Sequence, residues 1–414
     1  MDTWLGFRCT QCEREYPRQV PADLCPGCGG VLFAAYDLAA LARRVSRKDF
    51  ESRPPALLER WAELLPVGDR TVFGRVSLGE TQTPILEIDR LQQAVGMPRL
   101  ALKLDAHLPT GSLKDRPMSA AMAAAVERKA HVVAMSSSGN AAASLAAHAA
   151  RAGLRAVVGV FSGIPAAKLC KIRVHGPTVL QVAGGMDDAE EAIRSLSRRG
   201  GWFNAQSFVN PFPIEGEKTI GLEISVQTGW DPPEVAAFPL GSGGCLLGSY
   251  KGFRELRELG CISRIPRLVG VQFDACAPVA SAFAEGRGRI SRFARKPSFS
   301  TTLMHEEPVA GNLTLQAIRE TGGAALAASD DEVRRAMGIL GETAGIFAEP
   351  AAAIALAGVL RLKQEGRLEP DARVVCLVSG SGLNYSEAAP QRGKLTEPMP
   401  LERIHAMSPE ALLA

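Results

Sequence analysis

From about residue 99 onward, short apolar runs alternate with longer stretches in which apolar positions recur every three or four residues. Leu100-Ala101-Leu102-Lys103-Leu104 is one such run. The same pattern predicts strands over His131–Met135, Ala156–Phe161, Thr178–Val182, Val235–Leu240, Leu268–Phe273 and Arg373–Val378. Helical spacing covers Asp187–Arg198, Gly216–Gln227, Asp330–Glu342 and Pro350–Lys363. Short apolar strands separated by helices must bury both faces, which predicts an α/β chain with parallel sheets. Upstream the pattern changes. A cysteine-bearing segment runs to Leu38, followed by an Arg- and Glu-bearing helical stretch that Pro54-Pro55 interrupts. Residues 391–414, with Pro398 and Pro400, read as a surface tail.

Composition narrows the possibilities without choosing among them. The 414 residues allow two or three domains, and 46% apolar with 22% charged residues is ordinary for a globular protein. A net charge of +3 and the lack of a basic run make nucleic acid an unexpected partner. His148, Arg151 and Arg361 interrupt the Ala-rich stretches, so no membrane span is expected, and Met1 to Gly6 lacks a secretory pattern. The expectation is a cytosolic protein.

Four of the nine cysteines form C-x2-C-x12-C-x2-C at Cys9, Cys12, Cys25 and Cys28. Two such knuckles offer a tetrahedral set of thiolates to one zinc ion and leave no open position for water, so the expected zinc is structural. Cys170 and Cys376 read as buried small apolar residues. His107, His148 and His305 have no ligand or triad spacing and read as surface or packing residues.

The chemistry concentrates at loops between strands and helices. Pro109-Thr110-Gly111-Ser112-Leu113-Lys114-Asp115-Arg116 sets one lysine where a glycine-bearing loop enters a helix. Ser136-Ser137-Ser138-Gly139-Asn140 follows a strand and opens the next helix. A Schiff-base lysine has to be held and readily deprotonated, and an anionic substrate group needs N–H donors at a helix start. Together the two stretches point to a pyridoxal phosphate site. Gly241-Ser242-Gly243-Gly244-Cys245, after another strand, is a candidate phosphate cradle. Ser379, in Ser379-Gly380-Ser381-Gly382, can hydrogen-bond a pyridine nitrogen without enforcing its protonation, which suits elimination and replacement chemistry. Asn140 can pair with the ring hydroxyl. Glu349 before Pro350 reads as a helix-start acid.

At these residues the chain resembles the threonine synthase family of fold-type II pyridoxal phosphate enzymes. Pro109 to Arg116 is similar to P-T-G-S-F-K-D-R, and Ser137 to Asn140 to S-S-G-N. Phe347-Ala348-Glu349-Pro350-Ala351 is similar to F-x-E-P-A, and Ser379 to Leu383 stands where the family has T-G-H-G-L. The cysteine ribbon ending in Tyr36-Asp37-Leu38 is similar to one that many members carry.

The resemblance implies a tryptophan synthase β-like fold with two parallel-sheet domains plus the zinc ribbon. The ribbon would take residues 1–38. A larger cofactor-binding domain would take 39–97 and 216–390, and a smaller mobile one 98–215. It also implies that Lys114 holds the cofactor, that Asn140 faces its ring oxygen, that Gly241 to Cys245 wrap its phosphate and that Ser379 meets its ring nitrogen. Ser137, Ser138 and Gly139 would bind substrate, and the molecule would be a homodimer.

The family stretch N-S-V-N-P-[YF]-R-I-E-G-Q-K-T reads Ser207 to Thr219 here, with Ser207 for Asn and Pro213 for Arg. Ala141 replaces the threonine after S-S-G-N, and Ser242 and Cys245 replace two asparagines of the phosphate loop. Loss of a guanidinium removes charge and up to about five donors. The pocket so read suits a smaller or less anionic side chain than O-phosphohomoserine. Three activities are open: threonine synthesis, β-replacement or dehydration as in cysteine or cysteate synthase-like and serine/threonine dehydratase-like enzymes, and a non-catalytic regulatory or binding role.

Overall fold

The computed structural model describes residues 3–20, 23–164, 166–390 and 397–400. Most of the expected C-terminal tail lies outside the described residues. Three sheets organise the rest.

The largest has six strands in the order Ala324–Ala328, Arg267–Phe273, Val235–Pro239, Val374–Val378, Leu100–Leu104, Ile85–Glu87. The first five are parallel, and Ile85–Glu87 closes the edge antiparallel to Leu100–Leu104. Period-two geometry explains why these strands read as unbroken apolar runs. Ala101, Ala236, Phe238, Val375 and Leu377 belong to the core on one face, while Leu100, Leu102, Leu104, Ala237, Val374, Cys376 and Val378 belong to the core on the other. Helices cover both faces. Lys103, at an otherwise apolar position, is fully buried because its Nζ donates to Glu223 Oε2 at 2.6 Å and to the Thr83 carbonyl at 2.7 Å.

The second sheet has four parallel strands, Thr178–Val182, Arg155–Phe161, Val132–Ser136 and Phe203–Asn204. Its core is continuous with that of the cysteine ribbon, a three-stranded antiparallel sheet of Glu15–Tyr16, Trp4–Cys9 and Leu32–Tyr36. Phe7 packs edge-on against Phe212 with ring centroids 5.4 Å apart, so the ribbon is seated on the body of the molecule.

Two sequence expectations change. Leu100–Leu104, assigned by the boundary at residue 98 to the smaller domain, pairs in register with Val374–Val378 in the six-stranded sheet. Its partner lies more than 270 residues away, and sheet membership follows that pairing rather than chain order. The helix expected over 216–227 is two, Pro213–Glu217 and Thr219–Gln227, with Pro213 at the start of the first. Cys376 is buried as expected, whereas Cys170 is exposed.

Candidate active site

The lysine loop is built by its own polar residues. Asp115, the first residue of helix Asp115–Glu127, accepts from Thr110 N at 2.7 Å and Thr110 Oγ1 at 2.6 Å. Between them Gly111 takes φ = 75°, a left-handed turn that suits glycine. The loop is then sewn to the end of strand Val374–Val378. Leu113 N donates to the Ser379 carbonyl at 2.8 Å, Ser381 N to the Gly111 carbonyl at 2.9 Å and Asn384 Nδ2 to the same carbonyl at 2.8 Å. Behind the loop Arg116, wholly buried, is held between Asp105 and Glu223 by four bonds of 2.8 Å.

Lys114 Nζ lies 3.0 Å from Glu217 Oε1; burial pulls the lysine's pKa down, but the groups around it, Glu217 foremost, together raise it. Glu217 in turn lies against the glycine loop: a Cβ on Gly244 would overlap its carboxylate. Gly243, at φ = 96°, turns the chain into helix Gly244–Glu258, and a Cβ there would collide with Thr314. Gly241, Gly243 and Gly244 therefore occupy positions that side chains would fill, at the start of a helix where backbone N–H groups are free. This is the form of an oxyanion cradle, and it lies beside Lys114. Ser242 is half-buried on its rim, and the Cys245 thiol, buried, is pushed up to about 12 and stays neutral. Ser379 is buried, and its hydroxyl makes only a long 3.4 Å contact to the Ala351 carbonyl, so it has capacity for another partner.

Ser136 to Asn140 come from the other sheet. Ser137 N donates to the Gly159 carbonyl at 3.1 Å and Gly139 N to Ser137 Oγ at 3.2 Å, shaping the turn that opens helix Asn140–Ala152. Asn140 Nδ2 reaches across to Glu349 at 2.9 and 3.1 Å. Glu349 is the helix-start acid read from sequence, and its side chain also lines the cavity between the two sheets' loops. Burial pushes its carboxyl up to about 7 against the pull of Asn140, Lys171, Lys168 and Lys114.

The cavity holds side chains that carried no local sequence signal. Ser138, Gly139, Asn140 and Glu349 form its walls with Lys168, Lys171, Thr302, Asn384 and Tyr385. Lys171 Nζ donates to Asn384 Oδ1 at 2.6 Å and to the Thr110 carbonyl at 2.9 Å, with Asn140 Oδ1 at 3.4 Å. Lys168 Nζ donates to Thr301 Oγ1 at 2.9 Å and sits 4.1 Å from the centre of the Tyr385 ring. Burial pushes both lysines down. Neither forms an ion pair within 4.0 Å among the described residues. Of the histidines, His148 is a packing residue bonded to Glu80 and Ser144. His305 belongs to this region instead, with its ring edge beside Gly241 and its outer side exposed.

Away from this region the four ribbon sulfurs lie within 4.8 Å of one another, with Cys9–Cys28 at 3.5 Å and Cys12–Cys25 at 3.8 Å. A tetrahedron of thiolates about 2.3 Å from zinc has edges of about 3.8 Å, so the set fits a structural zinc.

A lysine beside a glycine cradle, at the carboxyl ends of parallel strands, defines the pyridoxal phosphate class of α/β enzymes. The profile described as pyridoxal-phosphate dependent enzyme matches residues 76–380, and the chain belongs to this family. Within it the likeness is to threonine synthases. The chain is 34% identical to threonine synthase of Methanocaldococcus jannaschii over 396 residues, 95% of this chain and 96% of that one. It is 32% identical to threonine synthase of Mycobacterium bovis over 84% of this chain and 94% of that one. Among solved structures, a threonine deaminase from T.th. aligns with a TM-score of 0.63 at 27% identity, covering 75% of this chain and 96% of that one. Processed threonine deaminase isoform 2 from Solanum lycopersicum shares the fold, with a TM-score of 0.65 at 19% identity over 81% of this chain and 94% of that one.

Proposed function

We propose that the chain converts an amino acid with a phosphorylated side chain, O-phosphohomoserine, and water into threonine and inorganic phosphate, working as a cytosolic homodimer. The observation that carries this is the charge of the far cavity wall. Lys168 and Lys171 bring two cations, and their acceptors are neutral oxygens. The carboxylates that act on them are Glu349, itself pushed up to about 7, the exposed Glu387, and the buried Asp115, which is engaged by Thr110 and Ser144. An excess of positive charge in a half-buried wall favours an anionic ligand group. The groups lost at Ala141, Ser207 and Pro213 are thus offset by two lysines from another helix.

When bound, pyridoxal phosphate supplies an electron sink that makes the substrate α-carbon acidic. Gly241 to Cys245 would hold its phosphate, Lys114 its reactive carbon, Ser379 its ring nitrogen and Asn140 its ring oxygen. Lys114 Nζ, once free, takes and returns the proton at the α-carbon. Ser137, Ser138 and Gly139 offer hydroxyls and N–H groups at a helix start to the substrate carboxylate, fixing the α-carbon over the lysine. Lys168 and Lys171 hold the side-chain phosphate as a proton leaves Cβ and the Cγ–O bond breaks; Cγ takes up a proton to become the methyl group, and water supplies the threonine hydroxyl at Cβ, its other proton passing to solvent or phosphate.

The test is a substrate panel of O-phosphohomoserine, O-phosphoserine, serine and threonine. Phosphate release from O-phosphohomoserine with formation of threonine is the expected outcome. Keto acid and ammonia from serine or threonine would replace this proposal by a dehydratase. Protein that stays colourless with pyridoxal phosphate, and in which borohydride traps nothing on Lys114, would make it non-catalytic. Sedimentation velocity tests the dimer.

A further inference from the structure

Glu217 is a buried carboxylate for which the proposed chemistry has no use. Its side chain is 1% exposed. Oε1 accepts from Lys114 at 3.0 Å, whereas Oε2 has no hydrogen-bond partner among the described residues. The carboxylate lies against Gly244, and its Cβ and backbone lie under Gly248 one turn further on. An unpartnered oxygen thus sits against the first turn of the helix assigned to the cofactor phosphate. The family stretch that Ser207 to Thr219 resembles has glutamine at this position, which could donate to a phosphate and carries no charge.

A phosphate bound on that turn would stand beside this buried carboxylate, and two anions in contact there would not both stay charged. The groups facing Glu217 do not relieve the conflict. Lys114 is the cation in contact with it, and the proposed chemistry engages that amine elsewhere. Cys245 on the opposing helix is a buried thiol pushed towards its neutral form, His305 on the covering loop is exposed, Glu349 is itself pushed up to about 7, and Asp105 is committed to Arg116. Lys218, next along the chain, is directed to Glu215 and Glu255 instead.

We propose that Glu217 couples phosphate binding in the Gly241–Cys245 loop to uptake of one proton. The proton comes from solvent and settles on the Glu217 carboxyl, which then donates it in a hydrogen bond to a phosphate oxygen. In the free protein the same side chain holds Lys114 Nζ in place at 3.0 Å. This inference rests on the assignment of the loop to the cofactor phosphate.

The experiment is titration calorimetry on the full chain freed of cofactor, in buffers of different ionisation heat, between pH 7.5 and 9. The probes are inorganic phosphate and pyridoxine 5′-phosphate, which lacks the aldehyde and so leaves Lys114 chemistry out. Wild type should take up close to one proton per phosphate bound, with Kd rising about tenfold per pH unit, as linkage of one proton requires. Glu217→Gln should bind with no uptake and a flat pH profile. Binding by wild type without proton uptake overturns the inference while leaving the loop assignment intact. Equal uptake in E217Q puts the proton elsewhere and overturns it too. Failure of both probes to bind at any pH overturns the loop assignment as well. Should E217Q fail to fold, the wild-type slope and the pH dependence of the bound cofactor's phosphorus NMR signal in the holoenzyme still decide: a flat slope and a signal that shows no neighbouring protonation sink the proposal.

Discussion

Replacing Lys168 and Lys171 singly by methionine tests the proposed recognition of the substrate phosphate. Methionine keeps most of the stem and removes the charge. Each lysine would contribute a charge-assisted hydrogen bond to the phosphate, worth about 1.5–3 kcal/mol. At about 1.4 kcal/mol per tenfold, that is roughly a 10- to 150-fold loss in kcat/KM for O-phosphohomoserine. The loss should fall mainly on KM, because the bond exists before the chemistry begins. Lys171 also ties the Thr110 carbonyl to Asn384, at 2.9 and 2.6 Å, so Lys171→Met carries a stability cost of about 1 kcal/mol that Lys168→Met does not share in that form. Steady-state phosphate release gives the primary numbers, and inhibition by inorganic phosphate should weaken in parallel. Binding of an unphosphorylated amino acid such as serine, read from the absorbance of the bound cofactor, provides the control. Should both variants keep KM for the phosphorylated substrate within twofold, or lose the same factor on serine, the lysines do not recognise the phosphate.

Three further outcomes follow from the geometry. Arg116→Met leaves the carboxylates of Asp105 and Glu223 buried without their guanidinium, and should cost about 3–5 kcal/mol in urea unfolding; a loss below about 1 kcal/mol would contradict the assigned network. Glu349, raised to about 7 from 4.5, keeps a proton that the unfolded chain releases, so its contribution is a stability that falls as pH rises from about 4.5 to 7. Glu349→Gln should remove about 3 kcal/mol of that decline, read from unfolding midpoints across the same window, and an unchanged profile would refute the shift. Chelation of the ribbon zinc should expose Trp4 and Phe7, both buried, and lower Tm together with a shift in tryptophan emission; an unaltered emission spectrum would mean the ribbon holds without its metal.

The parts legible in the sequence were those written in contiguous residues. The four cysteines lie in two knuckles, and Lys114 lies in a loop whose Gly111 and Asp115 shape the turn by themselves. The apolar strands of the large sheet were plain because both faces are buried, which leaves no polar alternation to confuse. What escaped depends on long-range assembly. Lys168 and Lys171 sit on a short helix with an unremarkable charge pattern, and they acquire meaning only where Thr110, Thr301, Asn384 and Tyr385 arrive from elsewhere. Glu349 looked like a helix-start acid because it is one, yet its side chain turns to Asn140, 209 residues away. His305 had no partner spacing to betray it, since its neighbour is the bare edge of Gly241.

The stitching of the Lys114 loop to the strand end at Ser379 has a consequence for how such a site can diversify. The loops that carry Lys114 and Ser379 follow paired strands of one sheet and are joined by backbone bonds from Leu113 to Ser379 and from Ser381 to Gly111, so their separation is fixed by the same framework that folds the domain. Ser137 to Asn140 and the two cavity lysines stand on the other unit and meet that framework through side chains. Apart from Lys171, which holds the Thr110 carbonyl and Asn384, and Ser144, which donates to Asp115, a substitution in the second group can change which molecule is accepted without passing through the bonds that position the first. Swapping the segment from Ser136 to Arg173 between related chains, with those two side chains kept, is therefore a graft of selectivity onto an unaltered floor.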